Sequence, residues 1–100
     1  MENTSIKLNN NYTFAIDSFS RNTSVQDGKL VSNAYVIMKN PVTEDIETLR
    51  GLALYAITSL KLIYEEEEIY ELSDLDAHIT SIDESLGDDG RIRVSFYMYF

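Results

Sequence analysis

Apolar and polar positions alternate with a period of two through most of the first part of the chain, the repeat that turns one side of a strand toward a core. Ile6 and Leu8 stand between polar neighbours, and Asn9-Asn10-Asn11 then supplies turn chemistry. Tyr12, Phe14 and Ile16 alternate again with Thr13, Ala15 and Asp17. Gln26-Asp27-Gly28-Lys29 carries the Asp-Gly pair of a tight hairpin, because glycine accepts the positive φ that such turns need. Leu30 to Met38 is rich in β-branched and aromatic residues, so the pattern predicts a hairpin with strands near 12–22 and 30–39.

The period changes after Asn40-Pro41, where proline ends the strand for want of a ladder donor. Thr43 suits an N-cap, and Glu44, Asp45 and Glu47 fall in the first turn, where the helix dipole favours acids. Ile46, Leu49, Leu52, Ala53, Ala56 and Ile57 recur at three- and four-residue spacing and predict one helix over 43–57. Leu60, Leu62 and Tyr64 return to alternation in a strand near 59–65, with Glu65 to Glu68 as its turn and Ile69, Tyr70 and Leu72 opening the return strand. Arg91 to Phe100 places Ile92, Val94, Phe96 and Met98 on one face and Arg93, Ser95, Tyr97 and Tyr99 on the other.

The segment from Ser73 to Gly87 fits two patterns. Leu75, Ile79, Ile82 and Leu86 have helical spacing, Ser73 with Asp76 resembles a capping box, and Gly87 could end a helix. The poor helix propensity of Ile79-Thr80-Ser81-Ile82, and the Asp88-Asp89-Gly90 turn before the last strand, favour a strand near 77–84. The expected fold is therefore α+β in one domain, 1–100: an antiparallel β-sheet of about five to seven strands with one main α-helix (about 43–57) packed on it.

Composition changes this picture little, and charge changes it more. The 44% hydrophobic content with seven Tyr and four Phe belongs to a chain that folds, and with no cysteine there is neither a disulfide framework nor a thiolate metal site. Residues 1–64 balance six acids with six bases, whereas residues 65–100 hold eleven acids against Arg91 and Arg93, so the whole net charge of −9 sits in the last third. Such a field repels nucleic acid and anionic membranes and suits a basic partner. The first residues lack the basic and apolar regions of a signal peptide, and the apolar-rich stretch 49–63 is interrupted by Arg50, Gly51, Thr58, Ser59 and Lys61. The expectation is a location in the cytoplasm of a host cell or in a virion, without membrane insertion.

Candidate chemistry is sparse. His78 is the lone histidine, with no cysteine or second histidine to complete a transition-metal site. Asp74-Leu75-Asp76 and Asp83-Glu84 with Asp88-Asp89-Gly90 offer oxygen ligands but not the spacing of an EF-hand loop. The chain shows no nucleophile motif, no glycine-rich phosphate loop and no metal-ligand pattern, so neither catalysis nor a cofactor is expected. Two contact surfaces remain. One is acidic: Glu65, Glu66, Glu67, Glu68, Glu71, Asp74, Asp76, Asp83, Glu84, Asp88 and Asp89. The other is the aromatic C-terminal edge Tyr97, Tyr99 and Phe100, which either packs on both sides within the monomer or meets a protein partner.

A hairpin around Asp27-Gly28, one helix opening after Asn40-Pro41 and a hairpin-rich segment from Ser59 to an aromatic last strand at Phe100 resemble the layout of small bacteriophage tail, neck and baseplate proteins. That resemblance implies a non-catalytic part of a virion assembling through sheet edges and the helix face, with itself or a basic protein as partner. The acidic segment 65–89 is also similar to small phage inhibitors that mimic DNA and block restriction or CRISPR nucleases, its acids standing in for phosphates.

Overall fold

The structure is a computed structural model, and it describes residues 4–86 and 91–99. In chain order it contains β1 (Thr4–Leu8), β2 (Tyr12–Gln26), β3 (Lys29–Met38), α1 (Thr43–Leu52), β4 (Leu60–Tyr64), β5 (Glu67–Leu72), β6 (Asp76–Leu86) and β7 (Arg91–Tyr99). The strands form one antiparallel sheet in the order β5-β4-β1-β2-β3-β7-β6, so the molecule is dominated by strands and carries a single short helix among the described residues.

The tight hairpins follow from local chemistry. Asp27 and Gly28 both have positive φ between the paired Gln26 and Lys29, the two-residue geometry their identities invite. Asn9 and Asn10 also adopt positive φ, which asparagine tolerates better than most residues. Glu65 and Glu66 do the same between Tyr64 and Glu67. The glutamate turn is therefore two residues long, not four, and Glu67 and Glu68 already belong to β5.

Connectivity then forces the sheet to curl. β5 and β6 lie at opposite ends of the strand order, yet only Ser73, Asp74 and Leu75 join them. Six inter-strand spacings in a flat sheet would separate them by roughly 29 Å, whereas the four steps from Leu72 to Asp76 reach about 14 Å. The sheet closes on itself instead. Leu75 N–H donates to Thr58 O at 2.9 Å, and Ile57 and Ala77 exchange backbone hydrogen bonds of 2.7 and 3.1 Å. β5 and the start of β6 thus run along one continuous path beside β4 and the residues just before it.

Bulges supply the bending. Asp17 is the extra residue in β2, where the strand leaves β1 and continues along β3. Ile69 in β5 and Thr80 in β6 are extra in the same sense, and each such insertion sharpens the local twist. Inside the curl lie Ile6, Leu8, Val36, Val94, Phe96 and Met98, with Ile46, Leu49 and Leu52 of α1 completing the core.

The helix ends at Leu52, five residues earlier than its apolar stripe predicts. Leu54, Tyr55 and Ala56 are exposed, and Ile57, in phase with the stripe, is fully buried because its backbone pairs with Ala77. The N-terminus also shifts by one residue: Thr43 is helical, Val42 holds the cap position, and its N–H donates to the Asp45 carboxylate at 3.1 Å. The ambiguous segment is the strand β6, whereas the expected Asp88-Asp89-Gly90 turn lies outside the described residues.

At the far end of the curl the inner face turns polar. Ser32, fully buried, meets the Arg21 guanidinium (Nε–Oγ 3.1 Å) and the Thr23 hydroxyl (2.8 Å), and Arg21 Nη1 donates to Tyr70 Oη at 2.6 Å. Tyr70 also packs on Phe19 with ring centroids 6.1 Å apart, so β5 and β2 touch across the interior.

One side chain holds the closing segment in place. Asn9 Oδ1 accepts from Thr58 N (2.8 Å), Thr58 Oγ1 (3.2 Å) and Ser59 N (3.4 Å), while Asn9 N donates to Ser59 O. Asn9→Ala should destabilise the fold by about 2–3 kcal/mol, from unsatisfied donors and the positive φ that alanine resists. The expected result is a lower urea midpoint at unchanged slope, with Asn9→Asp recovering part of the loss. An unchanged midpoint for the alanine variant would contradict this role.

Candidate interaction surfaces

The acidic residues are spread over one turn, two strands and the link between them. Glu65 and Glu66 form the hairpin turn, Glu67, Glu68 and Glu71 lie on β5, Asp74 sits in the link at positive φ, and Asp76, Asp83 and Glu84 are strung along β6. Asp88 and Asp89 lie outside the described residues. Many have cationic neighbours. Lys61 Nζ lies 3.2 Å from Glu68 and 3.5 Å from Glu71, Arg50 meets Glu84 at 2.6 Å, and Arg93 meets Asp83 at 3.5 Å. His78 Nε2 lies 2.8 Å from Asp76 Oδ1, which puts the lone histidine in a surface pair on β6. Among the described acids of this segment, only Glu65, Glu66, Glu67 and Asp74 stand outside these pairs.

The aromatic edge resolves into two situations. Tyr97 is half-buried and donates to Gln26 Oε1 at 3.2 Å, while Tyr99, its ring set edge-on to that of Tyr97 at 4.9 Å, is 47% exposed. Phe100 lies outside the described residues. Both tyrosines belong to the outer face of the β2-β3-β7-β6 half of the sheet.

Register maps that face row by row. Ser24, Val31, Tyr99 and Asp76 form one row across the four strands, and Asn22, Asn33, Tyr97 and His78 form the next. Ser20, Tyr35, Ser95 and Ser81 follow, and then Ser18, Ile37, Arg93 and Asp83. Ser95 is small between the bulky Arg93 and Tyr97 on its own strand and beside Tyr35 on β3. A depression of about 250 Å³ results, lined by Ser20, Asn22, Asn33, Tyr35, Thr80 and Ser95 with no ionised side chain. The Arg93 guanidinium lies 5.8 Å from the Tyr35 ring centroid, and its Nε is buried without an acceptor among the described residues. The centre of the face is thus tyrosine-rich and amide-rich, with Asp76, His78 and Asp83 along its β6 border, unlike the turn at Glu65–Glu67.

Among the described residues, no three His, Asp or Glu side chains are grouped to hold a metal ion, and no helix is long and apolar enough to cross a membrane. Comparison with protein-family models, with curated proteins and with solved structures finds no match.

The hairpin register around Asp27-Gly28 could have placed Asn22 opposite Asn33 from sequence alone. The partnership of β3 with β7, which brings Ser95 and Tyr97 onto the same surface, spans some sixty residues and has no local signal.

The Lys61 cluster yields a pH test. The hydrogen bond to Glu68 holds the Lys61 ammonium above its ordinary pKa of 10.5, partial burial opposes that shift, and the charges of Glu68 and Glu71 reinforce it. A folded pKa above the unfolded one means that the contribution to stability is complete below pH 10.5 and is lost as pH rises through the folded value. Carbon-detected NMR titration of the Lys61 side chain should show it titrating above its ordinary value. The pair Glu68→Gln and Glu71→Gln should return it to the ordinary range, and an unmoved midpoint would contradict the assignment.

Proposed function

We propose that this chain is a non-catalytic structural or assembly protein of the bacteriophage type, acting through protein–protein contacts with copies of itself. The observation that carries this reading is the tyrosine-rich centre of the outer face, with Asp76 and Asp83 confined to its β6 border. Tyr35, Tyr97 and Tyr99, interleaved with Asn22, Asn33, Ser95 and Arg93, make a surface of interface composition, where aromatics and arginine are enriched and acids are depleted. Tyrosine with serine and asparagine also combines large contact area with adaptable hydrogen bonding at low entropic cost.

The distribution of acids gives the DNA-mimic reading less support. A phosphate mimic needs unpaired negative charge in a continuous array, whereas Glu68, Glu71, Asp83 and Glu84 are matched by Lys61, Arg93 and Arg50. Of the unmatched acids, Glu65, Glu66 and Glu67 lie at one hairpin tip and Asp74 in the β5–β6 link; at such a tip glutamates keep an edge strand from pairing with a stray neighbour.

Light scattering after size exclusion tests the proposal across protein concentration at low and high salt. The expected result is a defined oligomer that persists in high salt, because contacts made by tyrosine and backbone are not screened. Replacing Glu65 to Glu68 by glutamine should leave it intact. A monomer under every condition, or an oligomer lost on that replacement, would contradict the proposal.

A further inference from the structure

The sheet has three stretches of unpaired strand edge among the described residues, and they are built differently. β5 presents Glu67, Glu68 and Glu71, so pairing it with its own copy would set acid against acid. β6 carries two register irregularities, its first residues pair with Ile57, and Arg50 of α1 is bonded to its Glu84. Both edges thus carry the devices that stop edge-to-edge pairing: charge, bulges and a covering element.

The third edge has none of them. Among the described residues β1 pairs with β2 as far as Ser5–Ala15, and beyond the Asp17 bulge β2 is paired on one side alone, by β3. From Asn22 to Gln26 the free side reads Asn, Thr, Ser, Val, Gln, with no charge, proline or bulge. Val25 (69% exposed) and Leu30 (51%) face each other across β2 and β3 at the end of this arm, their apolar surface uncovered. It is also the neutral part of a chain with a net charge of −9, and so the place where two copies approach with least repulsion.

We propose that two copies of this chain join through the free edge of β2, the Asn22–Gln26 segments pairing antiparallel about a two-fold axis at Ser24. This rests on the reading of the chain as a self-assembling contact protein and names its surface. The pairing sets Asn22 opposite Gln26 of the second copy and Thr23 opposite its Val25, with no like charges facing. It satisfies the edge's backbone groups, sets the exposed Val25 of each copy against Thr23 of the other, and merges two four-stranded halves into one eight-stranded sheet. A contact of this kind is isologous and closed, and so gives a dimer.

Cysteine is absent from the sequence, so Ser24→Cys introduces a lone thiol. Directly opposed residues in an antiparallel ladder have Cα atoms about 4.5–5.5 Å apart, within the range a disulfide spans. Ser81→Cys, exposed on β6, is the control. Under mild oxidation at micromolar protein, Ser24→Cys should form a covalent dimer roughly a hundredfold faster than the control, because the ladder holds its thiols at an effective concentration near millimolar. The double variant Ser24→Lys/Val25→Lys, which places charges at half-buried Ser24 and exposed Val25 without touching the core, should remain folded by circular dichroism and lose the dimer. If wild-type protein is oligomeric but Ser24→Cys links no faster than the control, the edge proposal is overturned and the broader contact reading stands. If wild-type protein is monomeric throughout and Ser24→Cys links no faster than the control, both fall.

Discussion

Ile57 and Ala77 exchange two backbone hydrogen bonds, Leu75 adds a third to Thr58, and the rest of the molecule depends on this short ladder. It joins the approach to β4 with the start of β6, and so closes a sheet whose two ends are tied by a three-residue link. A flat sheet of seven strands would leave one face of Ile6, Leu8, Val94 and Phe96 open to water. Closure turns those side chains toward one another, with Leu49 of α1 among them. The position of Asn9 follows from the same constraint, since its carboxamide and backbone hold Thr58 and Ser59 where the ladder needs them. The polar group at the other end, Arg21 with Ser32, Thr23 and Tyr70, forms where β5 faces β2 across the interior and apolar filling gives out.

Closure also decides which edges remain and what they must carry. A fully closed barrel has no edge strands, whereas this one closes only over residues 57–58 and 75–77. The open stretches of β5 and β6 hold Glu67, Glu68, Glu71, Asp83 and Glu84, several of them matched by Lys61, Arg50 and Arg93. The charge that is most conspicuous in the sequence therefore lies along the end strands of the sheet order. The outer tyrosines and the uncharged arm of β2 lie elsewhere.

Much of the fold was legible because it is local. The alternation of Ile92, Val94, Phe96 and Met98, the Asp27-Gly28 hairpin and the helix start after Pro41 each reflect interactions within a few residues. One place read ambiguously and one misled, each for a physical reason. In β6 the inward positions run Ala77, Ile79, Ile82, because the Thr80 bulge inserts one residue between rungs. A period of two with an insertion reads as the three-residue step of a helix. After α1, Ala56 and Ile57 stay in phase with the helical stripe, but Ile57 is buried by a strand-like pairing with Ala77, twenty residues away. The candidate surfaces were legible only as residue types. Whether Glu65 to Glu84 share a face, and which small residue lies beside Tyr35, depend on bulges and on the β3–β7 partnership, which no local pattern encodes.

Hydrogen exchange measured residue by residue by NMR tests the closure most directly. The account predicts that the amides of Ile57, Leu75 and Ala77 exchange as slowly as those of central strand residues such as Ile6 and Val94, because all open in the same cooperative unit. Fast exchange at those three amides, at the rate of exposed positions such as Leu54 and Tyr55, would contradict it and leave an open sheet in place of a closed one.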